Sequence, residues 1–175
     1  MQQANYMSPA VSADFSALLE AHRRLIYKVA NTYGRGRADV EDLAQEIATQ
    51  SWRAFPSYDT ARPFSTWLYR IALNVAISWL RVEAPRRRAL VPFEAELHDA
   101  AVSTAFEVDD GIRILRGFID SQGLLDRALL LLYLEERPSA EIAEILGITA
   151  THVTTRINRL KDRLRVYAEK EHGTR

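Results

Sequence analysis

The sequence predicts an all-α protein with two small helical domains joined by a linker, the C-terminal one containing a helix-turn-helix. Apolar residues recur at intervals of three and four along most of the 175 residues, and no segment alternates for long as a β-strand does. Residues 1–90 contain 12 basic and 8 acidic residues, and residues 111–175 contain 11 and 9, whereas residues 91–110 contain six acids and no base. Near the C-terminus a single glycine separates two helical segments, which is typical of a helix-turn-helix.

The composition is that of a soluble, folded protein, with 47% hydrophobic and 26% charged residues. The absence of cysteine excludes disulfides and thiolate catalysis, and the four histidines are too scattered to pair, so neither a metal nor a cofactor is expected. The longest apolar run, Ala128–Leu134, is far shorter than the roughly 20 residues of a membrane-spanning helix. Met1–Ala13 lacks the pattern of a signal peptide, which favours a cytoplasmic protein without membrane insertion.

Three helices are predicted in the first half of the chain. The first runs from about Asp14 to Tyr33, carries its apolar residues on one face and ends at Gly34 and Gly36. The second is capped by Asp39 and stops at Pro56. The third follows a loop of residues 57–63.

The third helix, from Phe64 to about Val82, has two distinct stripes and is expected to end before Pro85. The apolar stripe is expected to be buried and consists of Phe64, Trp67, Leu68, Ile71, Val75 and Trp79. The polar, partly basic stripe consists of Thr66, Arg70, Asn74, Ser78 and Arg81. Aromatic side chains interleaved with arginines can bind single-stranded DNA by stacking on its bases. For Phe64, Trp67 and Trp79, packing in the core is favoured because they share the apolar stripe.

Four shorter helices are predicted in the second half, over about residues 110–121, 124–135, 139–146 and 150–170. Ser139 and Thr149 are expected to cap the last two helices. Gly147 is expected to end the helix before it, because glycine adopts the left-handed conformation at the least cost.

The last helix has a buried face and a polar face. Val153, Ile157, Leu160 and Leu164 recur at helical intervals and are expected to be buried. The outward face consists of Thr151, His152, Thr155, Asn158 and Arg159, with Arg156 at its edge. Short polar side chains at the start of such a helix can approach base edges, and later arginines can reach phosphates. DNA binding is therefore predicted, and a helical hairpin with a solvated basic face is the alternative.

Acidic residues are concentrated at the start of the second helix, at Asp39, Glu41, Asp42 and Glu46. The helix dipole favours carboxylates there. Local capping explains this cluster about as well as a binding role does, so both interpretations stay open on composition alone.

Three motifs, in this order, resemble those of the extracytoplasmic-function (ECF) sigma factors of bacterial RNA polymerase, in the sigma-70 superfamily. Residues 39–46 (DVEDLAQE) resemble the family's second-helix motif, residues 64–76 (FSTWLYRIALNVA) its promoter-melting helix, and residues 140–148 (AEIAEILGI) the start of its helix-turn-helix. The resemblance extends over about residues 14–168. It implies a promoter-recognition subunit that is not an enzyme, with core RNA polymerase and promoter DNA as partners.

The resemblance also implies roles for individual residues. Core polymerase would be bound by Asp39, Glu41, Asp42, Gln45 and Glu46. The start-proximal promoter element would be bound by Tyr58, Asp59, Thr60, Arg62, Thr66, Arg70, Asn74, Ser78 and Arg81. Within that set, the loop of residues 57–63 would hold one extruded base, and Asn74 would lie beside it. The upstream element would be read in the major groove by Thr151, His152, Thr155, Arg156 and Arg159.

The domains implied by the resemblance are residues 10–88 (region 2), an acidic linker at 89–108 that would enter the polymerase near the RNA path, and residues 109–170 (region 4). An anti-sigma factor, the usual regulator of the family, would be a separate chain. Two departures from the family pattern are visible. The base-binding loop contains Tyr58 and Asp59 where many members have a Phe-Arg-Gly stretch, and the start of the last helix lacks the usual lysine, which implies a shallower salt dependence of DNA binding.

Two other classes of protein compete with this interpretation. A stand-alone helix-turn-helix regulator, with the first half as a dimerisation or sensing domain, would bind a near-palindromic duplex by itself but would have no use for an acidic docking helix. An enzyme is disfavoured because the sequence contains no nucleophile–base pair, glycine-rich phosphate loop or metal-ligand spacing. Because its two halves carry small net charges, the free chain is expected to bind DNA weakly.

Overall fold

The structure is a computed structural model that describes the backbone of residues 9–90 and 110–173 and the side chains of residues 14–82 and 110–171. Within these residues the chain forms eight α-helices, one 3-10 turn and no β-strand. It divides between residues 93 and 94 into two compact units. The predicted all-α fold of two helical domains is confirmed. Residues 91–108 of the predicted linker lie outside the described residues, and the predicted domain limits stay predictions.

The N-terminal unit contains α1 (Pro9–Ala21), α2 (Arg23–Tyr33), α3 (Gly36–Ala54), a 3-10 turn (Phe55–Ser57) and α4 (Phe64–Leu90). Helices α2, α3 and α4 pack against one another, and α1 packs on α2. The core between them is formed by large side chains that are almost fully buried: Val29, Tyr33, Leu43, Ile47, Leu68, Tyr69 and Leu73. Burial of each such apolar side chain contributes about 1.5–3 kcal/mol.

The single first helix that was predicted is interrupted at His22. The backbone N–H of His22 donates to the carbonyl groups of Leu18 and Leu19, and its imidazole Nδ1–H donates to the carbonyl of Leu18 over 2.8 Å. The ring also lies 5.0 Å from that of Phe64, between ring centroids. The side chain of His22 thus shares the Leu18 carbonyl with the backbone N–H of the same residue, and its ring contacts a residue distant in sequence.

Helix α3 begins four residues earlier than predicted, at Gly36. Gly36 has a φ of +75°, a conformation that glycine adopts without strain, and the N-cap is Arg35. Asp39 does not occupy the cap position. Instead, its Oδ2 accepts the backbone N–H of Arg35 over 3.2 Å. The carboxylate therefore provides a hydrogen-bond acceptor for the cap residue from inside the first turn of the helix.

The buried face of α4 is rotated from the predicted stripe. Phe64, Leu68 and Trp79 are buried as predicted, but Ile71 and Val75 are only half-buried. The core is instead completed by residues assigned to no stripe or to the polar one: Thr66, Tyr69, Ala72, Leu73 and Ala76. A wider buried face follows from packing against both α2 and α3. The helix also continues past Pro85 to Leu90, because one proline removes one backbone donor and need not end a long helix.

The C-terminal unit contains α5 (Asp110–Asp120), α6 (Leu124–Leu134), α7 (Ser139–Leu146) and α8 (Ala150–Gly173). These bounds agree with the predicted helices within three residues. The core consists of Ile114, Phe118, Ala128, Leu129, Leu132, Ile142, Ile145, Val153, Ile157 and Leu160. Helices α5, α6 and α7 each pack against α8, so α8 is the central helix of this unit.

The turn between α7 and α8 has the predicted chemistry. Gly147 has a φ of +67°, and the N–H of Ile148 donates to the carbonyl of Ala143 over 3.1 Å, which closes α7 in a Schellman arrangement. Thr149 caps α8, since its Oγ1 accepts the backbone N–H of His152 over 3.1 Å. Ser139 was predicted as the cap of α7 but is its first residue, and Pro138 occupies the cap position without a side-chain hydrogen bond.

Candidate nucleic-acid interfaces

An open groove of about 700 Å³ lies between α3 and α4 of the N-terminal unit. One wall is polar and comes from Asp42, Glu46 and Gln50 of α3. The other wall comes from α4, where Asn74 and Ser78 alternate with the apolar Ile71, Val75, Trp79 and Val82. The groove therefore brings together residues that the sequence assigned to two separate roles, polymerase docking and promoter melting.

The acidic face of α3 is held in place by local hydrogen bonds. Glu41 accepts the Nε–H of Arg37 over 2.8 Å on a solvent-exposed side of the helix. In the groove, Glu46 accepts the side-chain amide of Gln50 over 2.7 Å. Gln45 is exposed, and Asp39 and Asp42 are half-buried. All five residues predicted to bind polymerase therefore lie on one helix with at least part of their surface accessible.

The predicted polar stripe of α4 is exposed except at one position. Arg70, Asn74, Ser78 and Arg81 are exposed to solvent and follow one another at helical spacing. Thr66, by contrast, is only 6% exposed and presents little surface to a ligand. The accessible surface of this stripe thus begins at Arg70 and extends over about three turns of the helix.

The loop of residues 57–63 is closed on itself by hydrogen bonds. The hydroxyl group of Tyr58 donates to the carbonyl of Arg62 over 2.7 Å. Asp59 forms a turn at the loop's centre, because its Oδ1 accepts the N–H of Ala61 and its carbonyl accepts the N–H of Arg62, both over 3.0 Å. Thr60 and Arg62 are exposed at the surface of this turn. These hydrogen bonds give the loop a defined shape.

Tyr58 joins the loop to a cluster of aromatic side chains. Its ring stacks on Phe55 at a centroid distance of 5.8 Å and contacts Phe64 and Trp67 at 5.4 and 5.1 Å. Phe55 in turn contacts Phe15 at 4.9 Å. These contacts confirm core packing for Phe64, while Trp67 is half-buried at the edge of the cluster. The sequence did not reveal that Tyr58 is anchored by ring contacts as well as by its hydroxyl group.

The first two turns of α8 present polar side chains to solvent. Thr151, His152, Thr155 and Arg159 are exposed, and the opposite face, with Val153 and Ile157, is buried. The predicted division of this helix into an exposed polar face and a buried apolar face is confirmed, except that Leu164, which was expected to be buried, is only half-buried. Since α7 and the turn at Gly147 precede it, the arrangement is a helix-turn-helix with the start of its second helix accessible.

Arg156 differs from the other predicted residues of α8 because its guanidinium group, in a side chain that is 38% exposed, is engaged by a carboxylate of another helix. Its Nε–H donates to Oδ1 of Asp126 over 2.5 Å, and Nη1 of Arg163 lies 3.7 Å from the other carboxylate oxygen. The Asp126 side chain is only 11% exposed. This hydrogen bond raises the pKa of Arg156 above its usual value. We refer to Asp126, Arg156 and Arg163 as the Asp126 cluster, and sequence reasoning missed it because 30 residues separate the first two members.

Within the described part of the chain, no group of three or more histidine, aspartate or glutamate side chains is arranged to hold a metal ion. No helix of residues 9–90 and 110–173 combines the length and the hydropathy that crossing a lipid bilayer requires.

Comparison with known protein families identifies the family to which this chain belongs. Residues 18–86 match the model for sigma-70 region 2, and residues 125–164 match the model for sigma-70 region 4, which together are more than half of the chain. The chain belongs to the ECF sigma factors of the sigma-70 family. It is thus an RNA polymerase sigma factor, and a stand-alone helix-turn-helix regulator is not favoured, because region 2 occupies the half that such a protein would use for dimerisation or sensing.

The similarity to individual sigma factors extends along most of the chain. The ECF RNA polymerase sigma factor SigW of Bacillus subtilis is 28% identical over 166 residues, which cover 86% of this chain and 87% of SigW. Among solved structures, CnrH in complex with the cytosolic domain of CnrY has a TM-score of 0.66 at 21% identity, covering 91% of this chain and 90% of CnrH. The sigma factor RpoE of Bartonella quintana, solved with the anti-sigma factor NepR, has a TM-score of 0.66 at 18% identity, covering 89% of this chain and 97% of RpoE. Both structures support the fold.

Proposed function

We propose that this sigma factor docks on core RNA polymerase through the acidic face of α3. The proposal is supported by the accessibility of Asp39, Glu41, Asp42, Gln45 and Glu46 on one helix face. Local capping accounts for Asp39, which bonds the start of the helix, but not for Glu46, which lies two turns further on and lines the groove. A partner segment carrying basic side chains would complement this wall of the groove.

The start-proximal promoter element is proposed to bind the loop of residues 57–63 and the exposed stripe of α4. Tyr58, Asp59, Thr60 and Arg62 would form the rim of the site for one extruded base, and Arg70, Asn74, Ser78 and Arg81 would follow the strand along the helix. Thr66 would support this surface from below, because its side chain is buried and presents little surface to DNA. Extruding a base costs a few kcal/mol, which a preformed site offsets better than a flexible one.

The upstream element is proposed to be read by the start of α8 in the major groove. Thr151, His152 and Thr155 would approach base edges, and Arg159 would reach a phosphate or a guanine. Arg156 belongs to the predicted set but is engaged by Asp126. These proposed roles are supported by the exposure of the residues and by their position within the helix-turn-helix.

Three further properties belong to the same proposal. The chain would act without enzymatic activity of its own, since a sigma factor directs the polymerase that performs the chemistry. It would work in the cytoplasm, where the polymerase acts. A separate anti-sigma factor would regulate it, which is supported by the relatives CnrH and RpoE having been solved with CnrY and NepR.

The decisive experiment is run-off transcription with purified bacterial core RNA polymerase, with and without this chain, followed by mapping of the start sites. We expect new start sites that depend on the chain. If the chain neither associates with core polymerase nor creates new starts, the proposal is refuted. The observation that carries the proposal is the groove in which acidic residues of α3 meet Asn74 and Ser78 of α4.

A further inference from the structure

The Asp126 cluster connects the DNA-facing helix to the rest of the C-terminal unit. Asp126 lies in the first turn of α6, where the helix dipole stabilises a carboxylate. Arg156 and Arg163 lie seven residues apart, about two turns, and therefore on the same side of α8. Arg156 follows Thr155 and precedes Arg159 by three residues, so it borders the face proposed to contact DNA.

The other basic residues of α8 are in a different situation. Arg159 makes no ion pair within the described residues and is exposed. Arg165 lies 3.0 Å from Asp162, but the two side chains are 75% and 73% exposed, so water and salt screen that pair. Lys161 lies over the ring of Tyr133, 4.6 Å from its centroid. Only the Asp126 cluster, among these contacts, holds its cations on a largely buried anion.

A buried carboxylate keeps its partners more firmly than an exposed one. Removing a cation from Asp126 would leave a negative charge in a poorly solvated position, which is strongly unfavourable. A DNA phosphate competing for Arg156 would have to offset that loss with its own contact to the guanidinium group. Arg156 is therefore a poor donor to DNA as long as Asp126 is ionised. Arg163, 3.7 Å from the carboxylate and with its side chain 57% exposed, is held by the same anion but less tightly, and both arginines are close to the proposed interface.

We propose that Asp126 is a specificity-determining residue of this sigma factor, because it withholds Arg156 and Arg163 from the phosphates of promoter DNA. Phosphate contacts are independent of sequence, so withholding two of them increases the share of binding that depends on base contacts. This inference rests on the proposed function, in which α8 faces DNA. It assigns Arg159, and not Arg156, as the arginine of this face that contacts DNA in the native chain.

The number of phosphate contacts can be measured from the salt dependence of DNA binding. The full chain is titrated onto a fluorescent random-sequence duplex by anisotropy between 50 and 200 mM salt. The slope of log K against log salt changes by about 0.9 for each phosphate contact, which corresponds to about 3.5-fold in affinity over this range. For Asp126→Asn we expect a slope steeper by about 0.9 to 1.8, for one or two released arginines. On a duplex carrying a mapped promoter, the ratio of specific to random-sequence affinity should fall.

Asp120→Asn is the matched control. Asp120 is an exposed residue of the same unit whose carboxylate has no ion pair within the described residues, so its loss adds the same charge without releasing an arginine. Arg156→Gln in the Asp126→Asn background should reverse about 0.9 of the gain in slope. Circular dichroism of each variant establishes that the helices are retained.

Single arginine variants keep the proposal testable if Asp126→Asn does not fold. Arg156→Gln in the native background should leave the slope unchanged, whereas Arg159→Gln should reduce it by about 0.9. If Arg159→Gln reduces the slope and Arg156→Gln reduces it equally, or if Asp126→Asn matches Asp120→Asn, the role of Asp126 is overturned and the proposed function stands. If Arg159→Gln has no effect, α8 does not face DNA, and both are overturned.

Discussion

Replacing Tyr58 with phenylalanine removes one hydroxyl group from the loop of residues 57–63 and leaves the aromatic ring in place. The lost interaction is the hydrogen bond to the carbonyl of Arg62, 2.7 Å long. A hydrogen bond of this kind has a net contribution of about 0.5–1.5 kcal/mol. Because the loop is exposed, water can satisfy the carbonyl in the variant, and we place the loss in the lower part of that range, at about 0.5–1 kcal/mol.

This loss should affect the loop, while the packing of the domain is kept and its stability falls only slightly. The ring contacts of Tyr58 with Phe55, Phe64 and Trp67, at centroid distances of 5.1–5.8 Å, do not involve the hydroxyl group. The turn formed by Asp59 also remains. We therefore expect the free energy of unfolding to fall by no more than about 1 kcal/mol. If the closed loop is the form that receives an extruded base, promoter opening should fall about two- to fivefold, since 1.4 kcal/mol is a factor of ten.

The assay is permanganate reactivity of unpaired thymines at the start-proximal element, with the variant assembled on core polymerase and the amount of bound polymerase measured in parallel. Tyr27→Phe is the matched control, because the hydroxyl group of Tyr27 makes no hydrogen bond within the described residues of the same unit. Tyr58→Ala, which also removes the ring contacts, should reduce opening further. Wild-type opening in both Tyr58 variants would refute the role of this loop in capturing a base.

Three other perturbations test separate parts of the proposal. Asn74→Ala should reduce promoter opening about two- to tenfold, through the loss of one hydrogen bond, with little effect on polymerase binding; wild-type permanganate reactivity would count against it. Reversal of Asp42 and Glu46 to lysine should weaken association with core polymerase by at least about tenfold, and an unchanged pull-down would contradict the docking surface. Gly147→Ala should destabilise α7 and α8 by about 1–2 kcal/mol in hydrogen exchange, because its φ is +67°. Gly123→Ala, at a φ of −66°, should be neutral or stabilising, and equal effects of the two alanines would argue against the left-handed turn.

The C-terminal unit was predicted well because its boundaries are set by neighbouring residues. The left-handed conformation of Gly147 and the cap formed by Thr149 with the N–H of His152 involve residues at most four positions away. Such local chemistry is visible in a sequence. The same holds for the buried row of α8, where Val153 and Ile157 follow helical spacing and are buried.

The features that sequence reasoning missed depend on contacts between distant residues. The break at His22 is accompanied by a ring contact with Phe64, which is 42 positions away, and no local pattern indicates it. The rotated face of α4 follows from packing against two helices at once, which buries Thr66. Arg156 was assigned to DNA from its place on a basic face, and its partner Asp126 lies on another helix. Periodicity identifies which residues share a face but not which residue of another helix they meet.

The shared groove explains why the free chain should bind DNA weakly. Asp42 and Glu46 form one wall of the groove, and Asn74 and Ser78 belong to the other. A single strand approaching Asn74 would bring its phosphates into the groove that these carboxylates line. Like charges within one groove repel even at physiological salt. A basic polymerase segment on the acidic wall would remove that repulsion, and docking would then precede strand capture. Anisotropy of the free chain should therefore show weak binding to a promoter fork, and tight, sequence-specific binding without polymerase would contradict this order.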